Sequence, residues 1–96
     1  MNVSILPAAM DDLAEGFLFY EKQEAGLGDY FLNSLLADVD SLKLYGGVHR
    51  KIFGFHRSLA KRFPFAIYYE MKTEQIFVRA VLDCRRDPKW TRQKLK

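Results

Sequence analysis

The residues with most chemistry to offer lie in two basic runs, Arg57-Ser58-Leu59-Ala60-Lys61-Arg62 and Arg85-Arg86-Asp87-Pro88-Lys89-Trp90. Arginine forks match the geometry of phosphate oxygens, and an indole offers a π-face on which a base can stack. Arg85, Arg86, Lys89 and Trp90 are therefore candidate binders of an anionic target. Trp90 has a second reading, because a large aromatic near a chain end often packs back and seals a core edge. On a strand, alternation puts Arg57 and Lys61 on one face and Arg62 on the other, so these three cations do not all converge. Their second reading is as ion-pair partners of acidic helices, which would be worth little. His49 and His56 titrate near neutrality and could move protons, though neither has an evident partner. Two histidines with one cysteine make no recognised metal spacing, so no metal and no cofactor is expected. Cys84, beside Arg85 and Arg86, is either a reactive thiol or a small apolar filler. There is no phosphate-cradling glycine loop and no serine-nucleophile elbow, and no small-molecule ligand is expected.

The elements that must position these groups centre on Phe65–Met71 and Gln75–Leu82, two runs dense in β-branched and aromatic residues. The first puts Phe65, Ile67, Tyr69 and Met71 on one face and Ala66, Tyr68 and Glu70 on the other. The polar turn Lys72-Thr73-Glu74 is too short for a crossover, so the pair is an antiparallel hairpin. Upstream, Val3–Leu6 is a short apolar strand and Pro7 suits a helix start. Met10, Leu13, Phe17 and Tyr20 then recur at helical spacing, with Asp11, Asp12 and Glu15 in the early turns. Gly26-Leu27-Gly28 breaks the pattern as a helix–helix turn. A second helix carries Phe31, Leu32, Leu35, Leu36, Val39 and Leu42 and ends at Gly46-Gly47. Phe55–Arg62 reads as the strand before the hairpin, with Pro64 marking an edge or bend. The expected architecture is α+β, in the order β-α-α-β-β-β. A helix hairpin packs on a mostly antiparallel four-stranded sheet, in one domain over residues 1–96 with a flexible tail at 91–96.

Composition sets outer limits. At 49% hydrophobic and 28% charged the chain has the balance of an ordinary soluble globule. No apolar run approaches the roughly 20 residues of a membrane span, no secretion signal is evident, and a lone cysteine fits a reducing cytoplasm. The net charge of +3 conceals a division. Residues 1–48 hold two basic and eight acidic side chains (−6), whereas residues 49–96 hold thirteen basic and four acidic ones (+9). The second half should face something anionic, either nucleic acid or an acidic protein segment.

Phe63-Pro64-Phe65-Ala66-Ile67-Tyr68-Tyr69, a short turn, an apolar strand and then Arg85-Arg86-Asp87-Pro88-Lys89-Trp90 closely resemble the RelE/ParE superfamily of bacterial toxins. Tyr20-Glu21, Gly26-Leu27-Gly28 and Phe31-Leu32 extend the resemblance over nearly the whole chain; its specificity lies in their order and spacing. The resemblance implies the same architecture, with the first strand inserted beside the hairpin, and a cognate antitoxin whose disordered tail folds along the toxin. RelE-like members cut messenger RNA on the ribosome, often with an arginine in the central strand, where this chain has Ala66. Many also have an arginine or histidine where Asp83-Cys84 stand. Arg57 and Arg86 fall near positions basic in the nucleases, and Trp90 near a stacking tyrosine. Pro64–Tyr69 is closer to the ParE branch, whose members bind DNA gyrase and poison it. The resemblance thus implies a cytoplasmic ParE-like gyrase inhibitor, a plasmid-stabilisation type of toxin, acting through Arg85, Arg86, Lys89 and Trp90, with Arg57, Lys61 and Arg62 meeting the antitoxin. The alternatives are a ribosome-dependent endoribonuclease using Arg57, Lys61, Arg85 and Arg86, or a degenerate member that binds an antitoxin without toxicity.

Overall fold

The computed structural model describes residues 1–96. In chain order its elements are β1 (Asn2–Ile5), α1 (Pro7–Gln23), α2 (Leu27–Asp40), the single turn α3 (Leu42–Tyr45), β2 (Lys51–Ile52), β3 (Phe55–Leu59), β4 (Phe65–Lys72), β5 (Gln75–Asp83) and α4 (Pro88–Lys94). The strands form one sheet in the order β1-β5-β4-β3-β2, with β1 parallel to β5 and every other pair antiparallel. The first strand is indeed inserted beside the hairpin. Four strands were expected and five are present. The extra one, β2, has only two residues, too few to show alternation, and pairs Lys51 with His56 and Ile52 with Phe55.

Alternation along β4 follows the reading from sequence. Phe65, Ile67 and Tyr69 enter the main core under the helices, while Ala66 and Tyr68 enter a second cluster on the opposite face. Lys72 pairs with Gln75, so the hairpin loop shrinks to Thr73-Glu74. On β5 the register slips, because Tyr68 pairs with Ala80 but Tyr69 with Val78, leaving Arg79 as a bulge. Arg79 settles on Glu70 at 3.0 Å and over the Phe55 ring at 5.3 Å. The slip changes phase, so Ile76, Val78 and Val81 share the helix side while Ala80 and Leu82 face the other.

The helix pair crosses closely because Gly16 lies under Phe31; a Cβ at Gly16 would come within 2.5 Å of that ring. Phe31 and Tyr20 then stack into an aromatic group with Phe63 and Phe65, centroids 4.9–6.3 Å apart. Glu21 fastens the turn between the helices by accepting from the N–H groups of Gly26 (3.0 Å) and Gly28 (2.9 Å). On α1 the buried face is Ala9, Leu13, Gly16 and Tyr20, so Met10 and Phe17 of the expected stripe turn away from the sheet.

Two further expectations are corrected. The strand expected over Phe55–Arg62 stops at Leu59, because Asp38 of α2 takes the Lys61 N–H at 3.1 Å and turns the chain out of the ladder. The tail expected to be flexible is α4, with Asp87 capping it by accepting from Lys89 N–H (2.8 Å) and Pro88 in its first turn. Thr91 and Leu95, one turn apart, are buried; Leu95 joins the second cluster, so α4 covers part of the sheet face that the helix hairpin leaves bare. No helix is long and apolar enough to cross a membrane.

Candidate partner and target interface

The basic segment starts where β5 ends. Arg85 is committed locally, its Nε and Nη2 lying 3.0 and 2.7 Å from the two carboxylate oxygens of Asp83. That forked bond holds the Asp83 carboxyl below its usual range. An aspartate here would repel phosphate if free, but its charge is matched. Arg86 lies with its guanidinium 4.1 Å above the Trp90 ring. Trp90 is half-buried against Ala66, Tyr68, Ala80, Leu82 and Leu95, and Lys94 approaches the same ring at 5.8 Å. Of its two readings, the packed one describes its body, and Arg86 occupies a face that a base would stack on. Lys89 is exposed.

On the sheet face opposite the helix hairpin, Arg57, Tyr68, Cys84, Arg86 and Thr91, with Phe53 at the rim, surround a hollow of about 200 Å³. Arg57 Nη2 is 3.9 Å from Cys84 Sγ, while Arg57 Nε is buried with no partner. Cys84 is an exposed free thiol and fills no core space. Burial pushes the Tyr68 phenol above its ordinary value, so it stays protonated at neutral pH. Phe53 and Gly54, both at positive φ (55° and 87°), make the tight β2–β3 turn, and Arg92 of α4 lies 5.2 Å over the Phe53 ring. The fold therefore brings Arg57 and Arg86 together and leaves Arg85, Lys61 and Arg62 elsewhere. Lys61 lines a different hollow with Tyr45, Val48 and His49, and Arg62 is exposed in the bend that follows. None of Arg57, Lys61 and Arg62 forms an ion pair with the acidic helices.

Those helices use buried carboxylates differently. β1 pairs only as far as Val78, so the edge of β5 beyond it is bare, and Asp12 of α1 caps the Val81 N–H at 3.0 Å. Burial raises the Asp12 carboxyl above its ordinary value, with Lys94 3.9 Å away as a partial counterweight. Asp12, Glu15, Phe19, Asp83, Arg86 and Trp90 line a cleft of about 280 Å³ between α1 and α4. The histidines do have partners. Tyr69 Oη accepts from Gly47 N–H at 2.9 Å and shares a hydrogen with His49 Nδ1 at 2.5 Å. His56 stacks on the Tyr69 ring at 5.0 Å and bonds the His49 carbonyl. Burial, then the neighbouring His56, lowers the His49 pKa. This is a fastening for the 46–50 loop, and the sequence offered no signal for it. The outer faces of α1 and α2 leave an apolar groove of about 590 Å³, lined by Met10, Leu13, Phe17, Leu18, Leu32 and Leu36. The helical stripes read from sequence contained all of these residues except Leu18; Leu13 lies in the core, whereas Met10 and Leu36 are exposed.

No family model and no curated sequence matches this chain. A solved structure does: a chain of the chromosomal ParDE TA system from P. aeruginosa superposes with a TM-score of 0.76 over 84% of this chain and 92% of that one, at 15% identity. At that identity the likeness speaks for architecture, and it agrees with the order of strands and helices above. This chain shares its fold with that chain of the ParDE TA system.

Proposed function

We propose that this chain is the toxin of a toxin–antitoxin pair, cytoplasmic, held by a cognate antitoxin and inhibiting DNA gyrase when released. The match in fold to the ParDE chain carries the reading. The division of charge supports it, since the acidic residues lie on α1 and α2 and the cations on the later strands and α4. In this reading Arg86, Lys89 and Trp90 form the target surface, with Arg85 entering it already paired to Asp83. Apolar antitoxin side chains anchor in the α1–α2 groove, outside the helix pair, and acidic ones meet Arg57, Lys61 and Arg62. Coupled folding of such a segment covers a large area while costing several kcal/mol of ordering free energy, on the order of 2–5.

One observation favours a second reading, ribosome-dependent cleavage of RNA. Arg57 and Arg86 share a hollow with the Tyr68 phenol and Thr91, a set that can hold a phosphate. Against it, Lys61 and Arg85 lie outside the hollow, and its lining has no carboxylate or imidazole to take the 2′-hydroxyl proton. Gyrase supercoiling and primer extension on ribosome-bound message, run with the same purified protein, separate the two. Inhibited supercoiling with intact message is expected. Codon-specific cuts that disappear in Arg86→Ala would replace the gyrase reading with the nuclease.

A further inference from the structure

The segment between α3 and β3 is held to the sheet by few bonds, and two of them meet on one tyrosine oxygen. Tyr69 Oη accepts from Gly47 N–H at 2.9 Å and lies 2.5 Å from His49 Nδ1. Those are its only polar partners, so the phenol's own hydrogen points to Nδ1, and neutral His49 carries its hydrogen on Nε2. His56 Nδ1–H donates to the His49 carbonyl at 2.6 Å, and Arg50 C=O accepts the Arg57 N–H at 3.1 Å. Beyond these come only the two residue pairs of β2. Gly47 takes a positive φ of 94°, a conformation open mainly to glycine, which gives the segment a hinge at its α3 end.

A proton on His49 removes the acceptor. Nδ1 becomes a donor aimed at a hydroxyl that already accepts from Gly47, and the phenol hydrogen loses its partner on a side chain that is fully buried. The new charge also meets other cations. His56 stacks on the same Tyr69 ring and is paired in register with Lys51. Arg50 and Arg57 line one hollow beside His49, of about 400 Å³, while Lys61 and Tyr45 line the other, of about 310 Å³. Asp38 is the one carboxylate lining either, and it is buried with its Oδ2 taken by the Lys61 N–H. Burial, and then His56, accordingly hold the His49 pKa below its ordinary value of 6.5. The segment also shapes the basic face. Ile52 lines both the Arg50–Arg57 hollow and the Arg57–Arg86 hollow, with Phe53 at the rim of the second, so residues 46–53 form one wall of each.

We infer that residues 46–53 are an acid-released latch: protonation of His49 frees the segment from Tyr69 and opens the wall of the two arginine hollows, while the rest of the sheet stays paired.

NMR on the intact protein between about pH 7.5 and about pH 4.5, a span that brackets histidine titration, tests the latch. The ring shift of His49 reports its proton, and the Gly47 amide reports the bond to Tyr69. Gly47 protection from hydrogen exchange, corrected for the intrinsic pH dependence of exchange, should fall about tenfold or more in step with the His49 ring, as expected for one lost hydrogen bond. Amides of the β4–β5 ladder should keep their protection over the same range. His49→Gln, which cannot take a proton, should hold Gly47 protection level. A Gly47 amide that stays protected while His49 titrates overturns the inference. Loss of the β4–β5 ladder at the same pH does so too, because that is ordinary acid unfolding. A fall that follows the His56 ring and persists in His49→Gln also overturns it, by moving the trigger to His56. If the glutamine variant does not seat the segment, the coincidence of ring and amide titrations in the unaltered protein decides.

Discussion

Asp12 offers a sharp test of how the helix hairpin is tied to the sheet. Its Oδ2 is the only partner of the Val81 N–H, on a strand edge that β1 is too short to cover. Asp12→Ala leaves that buried N–H without an acceptor, at a cost of about 1–3 kcal/mol. In a domain of this size the loss lowers Tm by roughly 5–20 °C. Asp12→Asn keeps an oxygen in place and removes the charge, whose burial is what raises this carboxyl above its ordinary value of 3.8. At neutral pH the asparagine variant should therefore be at least as stable as the parent. The pH dependence follows from the direction of the shift. The folded protein binds this proton more tightly than the unfolded chain does, so the associated stability is present below 3.8 and is lost as pH rises through the folded value. The advantage of Asp12→Asn should accordingly widen from about pH 4 to about pH 7. Urea titrations of the three proteins across that range measure it. An alanine variant as stable as the parent, or an asparagine variant as weak as the alanine one, would refute the capping argument.

Changing Arg85 and Arg86 together to alanine should abolish inhibition of gyrase supercoiling while circular dichroism stays unchanged, because an exposed, solvent-screened pair of this kind adds little to stability. A well-folded double variant that still inhibits removes the segment from the target surface. Tyr69→Phe should cost about 1–3 kcal/mol, since Gly47 N–H and His49 lose their shared partner; a melt within error of the parent would mean the loop is held by other contacts. The His49 pKa is lowered on folding, so its stability is present above 6.5 and falls away as pH drops below that value. His49→Gln should flatten the stability curve over that acid range. Leu18→Glu with Leu36→Glu, at positions 57% and 38% exposed, should weaken antitoxin binding at low and high salt alike while leaving the fold intact. Neutralising Arg57 and Arg62 should mainly slow association, and only at low salt.

The hairpin, the helix pair and the place of the first strand beside the hairpin were legible because each rests on a pattern long enough to be distinctive or on the family resemblance. β4 showed clean alternation, and α2 carried Phe31, Leu35 and Val39 at helical spacing. β5 was legible as a strand but not in its facing, because the Arg79 bulge shifts phase in mid-run and nothing in Ile76–Leu82 marks where. β2 escaped notice because two residues have no period, and its turn uses Phe53 where asparagine or glycine is the usual sign. α4 could have been read, since Asp87-Pro88 is a helix-start signature and Thr91 and Leu95 are one turn apart. The site was less legible than the fold. Which of six clustered cations is free depends on distances between elements: Arg85 meets Asp83, Arg86 meets Trp90, and Arg57 looks across the sheet at Cys84.

The parallel seam between β1 and β5 also constrains how the molecule is made. Val3 pairs with Ile76, so β1 finds its partner only when the intervening helices and strands have been translated. At roughly 5–20 residues per second, β1 waits about 4–15 s with its pairing groups exposed. The sheet closes late, and Leu95 seats later still. A product truncated before β5 would lack the seam, the Asp12 cap and the basic segment at once. The basic segment and the completed sheet should thus appear together, once β5 and α4 have both been made.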